Sequence, residues 1–288
     1  MFDDRVLAVL EDRWGLDVSQ AAERLAGGQE SAVVRLGDRV VRVGTPWRTT
    51  GDLRWSGRVA SAAASEVAEA IAPVPTFDGA TVVRAGDRPV TVWPFVSGDR
   101  GDDHDEQQRR QAAELLARVH RALARARVEA PPARVVPAAP VPELADATLD
   151  EWLDGFWSGG LRRHAVHGDF YAANVLVRRG TIVALVDWDE ATVAPPEWEL
   201  ACAAWEWGDG LGTLDLAPAE RFVQHYLDAG GTATALTERS LRQLVRARIR
   251  SDVAYDRATS GVGDPDPDDL AYQRRQLEAF AALRPPSG

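Results

Sequence analysis

The hydrophobic pattern of this chain changes period close to Gly98, and that change limits the folds open to it. Before that point apolar residues come in short alternating runs. Ala32-Val33-Val34-Arg35-Leu36 and Arg39-Val40-Val41-Arg42-Val43 flank Gly37-Asp38, which reads as two strands joined by a tight hairpin. A second hairpin is predicted within 80–96, with Gly86-Asp87 at its turn. Val6, Leu7, Val9, Leu10 and Trp14 have helical spacing over 3–14, and an Ala-rich helix falls somewhere within 51–71. After Gly98 the spacing is helical. Residues 106–127 carry Ala113, Leu116, Val119, His120 and Leu123 on one side, and further helices are expected at 143–157, 197–207, 218–229, 237–258 and 268–283. Residues 129–142 hold five prolines and read as an exposed connection. One more strand pair interrupts the helices, 174–178 and 181–186, turned at Arg179-Gly180. The expectation is an α+β protein with a small sheet lobe over 1–97 and a larger, mostly helical lobe over 98–288.

Composition removes several function classes. A chain of 288 residues, 45% hydrophobic, is long enough to bury a sizeable core. No apolar run approaches the roughly 18 residues of a membrane span, and the start, Met1-Phe2-Asp3-Asp4-Arg5, lacks the layout of a signal peptide. A cytoplasmic location away from membranes is therefore expected. Cys202 stands alone, which excludes an internal disulfide and a cysteine-built zinc site. A net charge of −11 argues against a nucleic-acid partner. All 33 basic residues are arginine, so a lysine-bearing P-loop is ruled out.

The stretch that carries chemistry is His167-Gly168-Asp169-Phe170-Tyr171-Ala172-Ala173-Asn174, followed by Val186-Asp187-Trp188-Asp189. Phosphoryl transfer to a hydroxyl needs a carboxylate that orients the nucleophile and takes its proton. It also needs hard oxygen ligands that hold Mg²⁺ on the nucleotide phosphates. An Asp and an Asn five residues apart can face one pocket from one loop, and the strand pair after Asn174 can return a second Asp beside them.

HGDxxxxN followed by a hydrophobic-D-x-D strand end resembles the aminoglycoside phosphotransferase and choline kinase family, which has a two-lobed, protein-kinase-like fold. Leu115-Leu116-Ala117-Arg118-Val119-His120, Glu199-Leu200-Ala201, Trp14-Gly15-Leu16, the Gly27-Gly28 turn and Pro94-Phe95-Val96-Ser97-Gly98 follow the family's order, so the likeness covers roughly 14–207. The resemblance implies Asp169 as catalytic base, Asn174 and Asp187 as Mg²⁺ ligands, and His167 with Gly168 shaping the loop. It implies ATP or GTP as co-substrate, with Ser31, Arg42, Pro94 and Val96 on the nucleotide and Glu199 supporting the catalytic loop. Asp189 and Trp188 are candidates for substrate or metal contact, an exposed turn acid being an equal reading for Asp189. The acceptor would be a small hydroxyl compound such as an aminoglycoside, amino sugar or amino alcohol, and the acidic balance mildly favours a cation.

Three positions depart from the family pattern. Arg42 stands where many relatives have Lys, Glu199 stands where Asp is usual, and the acid partner of Arg42 is open among Asp52, Glu66 and Glu69. These departures motivate an alternative, a kinase-like nucleotide-binding protein without phosphotransfer. A metal-dependent phosphoester hydrolase would need a richer ligand set than five scattered histidines supply. His120 reads as a packed core histidine and Cys202 as inert packing. Arg242, Arg246 and Arg250 read as a solvated or ion-paired helix face. Six of the ten tryptophans fall between Trp152 and Trp207, mostly for core packing.

Overall fold

The computed structural model describes residues 2–25, 32–46, 48–132, 136–259 and 267–286. Ser31 and the Gly27-Gly28 turn lie outside the described residues.

The first hairpin forms at the expected register. β2 (Ala32–Leu36) pairs antiparallel with β3 (Arg39–Val43), and Arg42 lies opposite Val33. β1 (Ala22–Arg24) adds outside β2, and β5 (Arg88–Pro94) with β4 (Val83–Ala85) completes a five-stranded antiparallel sheet in the order β1-β2-β3-β5-β4. β3 is central, so Val41 and Val43 are buried while Arg42, on the opposite face, is free to point towards the rest of the protein. Helix α1 (Asp4–Trp14), capped by the Asp3 carboxylate and ended by Gly15 at φ +66°, covers the other face. Val6, Leu10 and Trp14 pack there with Val41, Val43, Val90 and Val92 as one small core.

The larger core belongs to the helices. It is built around α3 (Glu106–Ala126), with α4 (Ala147–Ser158), α5 (Pro196–Trp207), the short α6 (Gly210–Thr213), α7 (Ala217–Asp228), α8 (Glu238–Thr259) and α9 (Pro267–Ala282). The inner face of α2 (Thr50–Ala64), with Trp55, Val59, Ala60 and Ala63, joins this core and not the sheet's. α2 packs on α3 and on the turn at Trp188–Glu190.

Four strands escape the sequence pattern or shift it: β1, β6 (Asp99–Arg100), β7 (His164–Val166) and β10 (Thr192–Ala194). Each has two or three residues, too few to establish a period. β7 pairs antiparallel with β10, and β8 (Val175–Arg178) pairs with both β9 (Thr181–Leu185) and β6. These two small ladders carry the segments on either side of the 167–174 loop and of Asp187. No described helix is long and apolar enough to cross a membrane.

The arginine face of α8 is ion-paired. Arg242 meets Glu238, Arg250 meets Asp150, and Arg246, only 1% exposed, meets Asp146 at 2.6 Å. His120 is fully buried, as read from its apolar surroundings. Beside it, His164 donates from Nδ1 to the Ala165 carbonyl (2.7 Å) and receives the Thr232 hydroxyl at Nε2 (2.8 Å), an arrangement that suits the neutral ring. Burial, with the neighbouring His120, pushes its pKa down to about 4. The unfolded chain therefore takes up this proton first, and stability present above pH 6.5 is lost as the pH falls towards 4. The loss attributable to this group is on the order of 3 kcal/mol. Urea unfolding of the wild type and His164→Gln at pH 7.5 and 4.5 should give curves whose difference narrows by about that amount in acid. Parallel pH dependence of the two proteins would refute the assignment.

Candidate active site

The loop after β7 is held from beneath by one buried side chain. Glu199, in the first turn of α5, accepts the His167 N–H at 3.1 Å and the Gly168 N–H, and it pairs with His120 Nε2 at 2.7 Å. His120 Nδ1 continues to the Tyr226 hydroxyl at 2.7 Å. Burial alone would raise the Glu199 carboxyl, but the His120 bond, nearby imidazole charge and the Gly168 N–H outweigh it and leave it below the ordinary range. The longer side chain thus spans two adjacent amides, so Glu at this position keeps its hold on the loop.

His167 is fully buried. Its Nε2–H donates to the Val186 carbonyl at 3.0 Å and its Nδ1 receives the Asp169 N–H at 3.3 Å, tying the loop to the residue before Asp187. Gly168 has φ +87°, and a Cβ there would fall 2.0 Å from the Glu190 carbonyl oxygen. Only glycine fits.

Asp169 and Asn174 meet directly. Asn174 Nδ2 donates to Asp169 Oδ2 at 3.0 Å and to the Asp169 carbonyl at 2.8 Å. The Asn174 carbonyl accepts the Val186 N–H at 2.9 Å, which carries Asp187 to the same place. Asp187 has φ +63°, a conformation few non-glycine residues adopt. Burial would raise its carboxyl, but the Arg42 guanidinium outweighs this and holds it below the ordinary range. Asp169, in contrast, is pushed up by burial, with the Arg248 charge opposing.

Arg42 reaches the site with both ends of its fork, at 2.9 Å to Asp187 Oδ1 and 3.0 Å to Asp189 Oδ2. The acids weighed as its partner are engaged elsewhere: Asp52 with Thr49, Glu66 with Arg125, and Glu69 with Arg118 through both oxygens. Asp189 is accordingly no exposed turn acid; its side chain is 15% exposed, and burial raises its carboxyl. Arg48 grips the next residue, Glu190, at 2.6 Å. Trp188 is fully buried against the His167 ring, with centroids 4.6 Å apart, so its indole sits beneath the loop. Pro94 and Val96 are half-buried at and just beyond the end of β5, where Phe95 N–H donates to the Asp38 carbonyl at 2.9 Å.

The donor set suits a hard divalent ion. With its amide nitrogen committed to Asp169, Asn174 presents its other end, the carbonyl oxygen, and Asp187 supplies an ionised carboxylate. Among the described residues no three His, Cys, Asp or Glu side chains form a metal cage by themselves. A cation here would therefore draw further ligands from phosphate and water, as Mg²⁺ commonly does.

On the other side of Asp169, sequence reasoning singled out only Cys202, and that as packing. A narrow cleft there is walled by Trp198, Cys202, Glu206 and Arg248. Arg248, from α8, donates to Asp169 Oδ1, to the Gly168 carbonyl and to Asp252. Burial pushes the Glu206 carboxyl up to about 7. The available signal was the i, i+4 pairing of Arg248 with Asp252, which sits off the 242/246/250 stripe.

Known proteins show the same architecture. The amicoumacin kinase hAmiN, solved in complex with AMP-PNP, Ca²⁺ and Ami, superposes with a TM-score of 0.72 at 15% identity, over 99% of this chain and 95% of that one. A microcompartment-associated aminopropanol kinase gives 0.71 at 16% identity, over 98% and 95%. The macrolide 2'-phosphotransferase MphH from Brachybacterium faecium gives 0.61 at 20% identity, over 99% and 100%. No curated protein sequence matches the chain. The model of the phosphotransferase enzyme family, APH, matches residues 21–244, most of the chain and all of the loop just described. On that match, over a protein-kinase-like fold, the chain belongs to the APH phosphotransferase family.

Proposed function

We propose that this protein transfers the γ-phosphoryl group of ATP or GTP to a hydroxyl of a small, amine-bearing acceptor. The observation that carries the reading is the meeting of Asp169, Asn174 and the Asp187 segment through contacts of 2.8–3.0 Å. Asp169 would orient the acceptor hydroxyl and take its proton. Burial, by raising its carboxyl, makes it a better proton acceptor than a solvated aspartate. Asn174 and Asp187 would hold Mg²⁺, which when bound would draw negative charge from the phosphate oxygens. Arg42 would contact phosphate with the guanidinium that otherwise lies on Asp187, and the backbone at Pro94 and Val96 would meet the base. His167 and Glu199 keep the loop in shape. The small lobe, 1–97, and the larger one, 98–288, would flank the nucleotide.

An acceptor carrying an ammonium group suits the cleft beside Asp169, because Asp169 and Glu206 line it against the single Arg248 charge, which Asp252 neutralises from behind. Aminoglycosides, amino sugars and amino alcohols all have the required hydroxyl and amine. The test is incubation with ATP or GTP and Mg²⁺ over a panel of these compounds, read by mass spectrometry. A phosphorylated acceptor that disappears with EDTA is the expected result. Nucleotide binding with no phosphorylated product across the panel would instead favour a nucleotide-binding protein without turnover.

A further inference from the structure

We propose that Arg248 is a positioning residue for the transfer step: anchored on Asp252, its guanidinium sets the plane of the Asp169 carboxylate from the acceptor side. The proposal rests on the phosphotransfer reading above.

Three contacts define the arrangement. Arg248 Nε donates to Asp252 Oδ2 at 2.8 Å, one turn further along α8. Its Nη1 donates to the Gly168 carbonyl and its Nη2 to Asp169 Oδ1, both at 3.3 Å. Asn174 holds the other oxygen, Oδ2, at 3.0 Å. The outer torsion of an aspartate is soft when left alone. With one donor on each oxygen it cannot turn without losing one of them. Each oxygen keeps a second lone pair for an incoming hydroxyl, and Asp169 lines the cleft together with Trp198 and Glu206.

The geometry also explains why the cation is arginine. The three acceptors are met by three different nitrogens of one rigid, planar fork, whereas an ammonium, although it also has three donors, offers them all from a single point. The Asp252 contact is short, whereas the two loop contacts are long. Long contacts add little stability but still bias orientation, and a misplacement of about 1 Å at a reacting group can cost on the order of 100-fold in rate. Arg248 is 25% exposed at the cleft wall, so it adjoins the space an acceptor would enter. It links α8, beyond the motif-bearing part of the sequence, to the loop that would do the chemistry.

The experiment compares wild type, Arg248→Met, Arg248→Lys and Asp252→Asn with a turned-over acceptor. It measures kcat, both KM values, Mg·ATP affinity and melting temperature. Arg248→Met should lower kcat by about 10- to 100-fold with nucleotide affinity close to wild type, while its melting temperature falls because Asp252 loses its partner. Arg248→Lys should recover part of that loss, and Asp252→Asn should lose kcat in the same direction by less. Wild-type kcat in Arg248→Met overturns the proposal. So does a loss that tracks nucleotide affinity with no recovery in Arg248→Lys. A wild type that phosphorylates nothing overturns the phosphotransfer reading and this one together, whereas an active wild type with an indifferent Arg248→Met overturns this one alone.

Discussion

Asp169→Asn is expected to lower kcat for acceptor phosphorylation by about 10²–10⁴-fold while leaving nucleotide affinity intact. The substitution preserves shape. An amide at 169 can still turn its oxygen to the Asn174 amide, which bonds Asp169 Oδ2 at 3.0 Å, so the loop should keep its course. What disappears is the basic oxygen proposed to take the acceptor proton. The Arg248 guanidinium also loses one of its carboxylate partners, but Asp252, at 2.8 Å, still neutralises it. The nucleotide is expected to depend on Arg42, Asn174 and Asp187, none of which is altered. Steady-state kinetics with the identified acceptor and calorimetric titration of Mg·ATP separate the two quantities. A variant that turns over at the wild-type rate would remove Asp169 from the chemistry, and one that no longer binds nucleotide would make it a structural residue.

Gly168→Ala should damage stability and turnover together. Its Cβ would lie 2.0 Å from the Glu190 carbonyl oxygen, a backbone atom held in a turn whose side chains are gripped by Arg42 and Arg48. The loop must therefore move, and the neighbouring amides must give up part of their bond to buried Glu199. Breaking into a buried, charged network costs about 3–5 kcal/mol, which corresponds to a fall in melting temperature on the order of 10 °C. Gly79 provides the control. It has nearly the same torsion, φ +83°, but nothing lies within 4 Å of its Cβ position. Gly79→Ala should therefore cost only the intrinsic penalty of a left-handed residue, about 1–2 kcal/mol. Equal losses at the two positions would show that torsion alone, and not the Glu190 contact, dictates glycine at 168.

The periodic elements were legible because their residues alternate or recur over enough length. β2 and β3 fall at 32–36 and 39–43, and the long helix at 106–126, as their apolar spacing dictates. β1 and β7 were not legible, for opposite reasons. Ala22, Glu23 and Arg24 are all exposed and His164, Ala165 and Val166 are all buried, so neither segment alternates. In the site, HGDxxxxN and DWD were readable because one loop and one strand return bring those residues together. The partner of Arg42 was not, since the acids weighed for it lie on or beyond α2 and face Arg118, Arg125 or their own helix cap. Arg248 lies 79 residues from Asp169, and only the packing of α8 against α5 unites them.

The allegiance of α2 has a consequence for how this molecule would breathe. Since Trp55, Val59 and Ala63 are welded to the helices, the piece free to swing is smaller than the first ninety-odd residues: α1 and the five strands. Its three tethers are the stretch from β3 to α2, the one from α2 back to β4, and the one after Pro94. Arg42 and Arg48 sit on or beside the first tether, clasping Asp187, Asp189 and Glu190 across the gap. Because Arg42, Arg48 and Asp189 are largely buried, salt would screen these bridges only weakly, and the clasp would hold the jaw shut until a competing anion entered it.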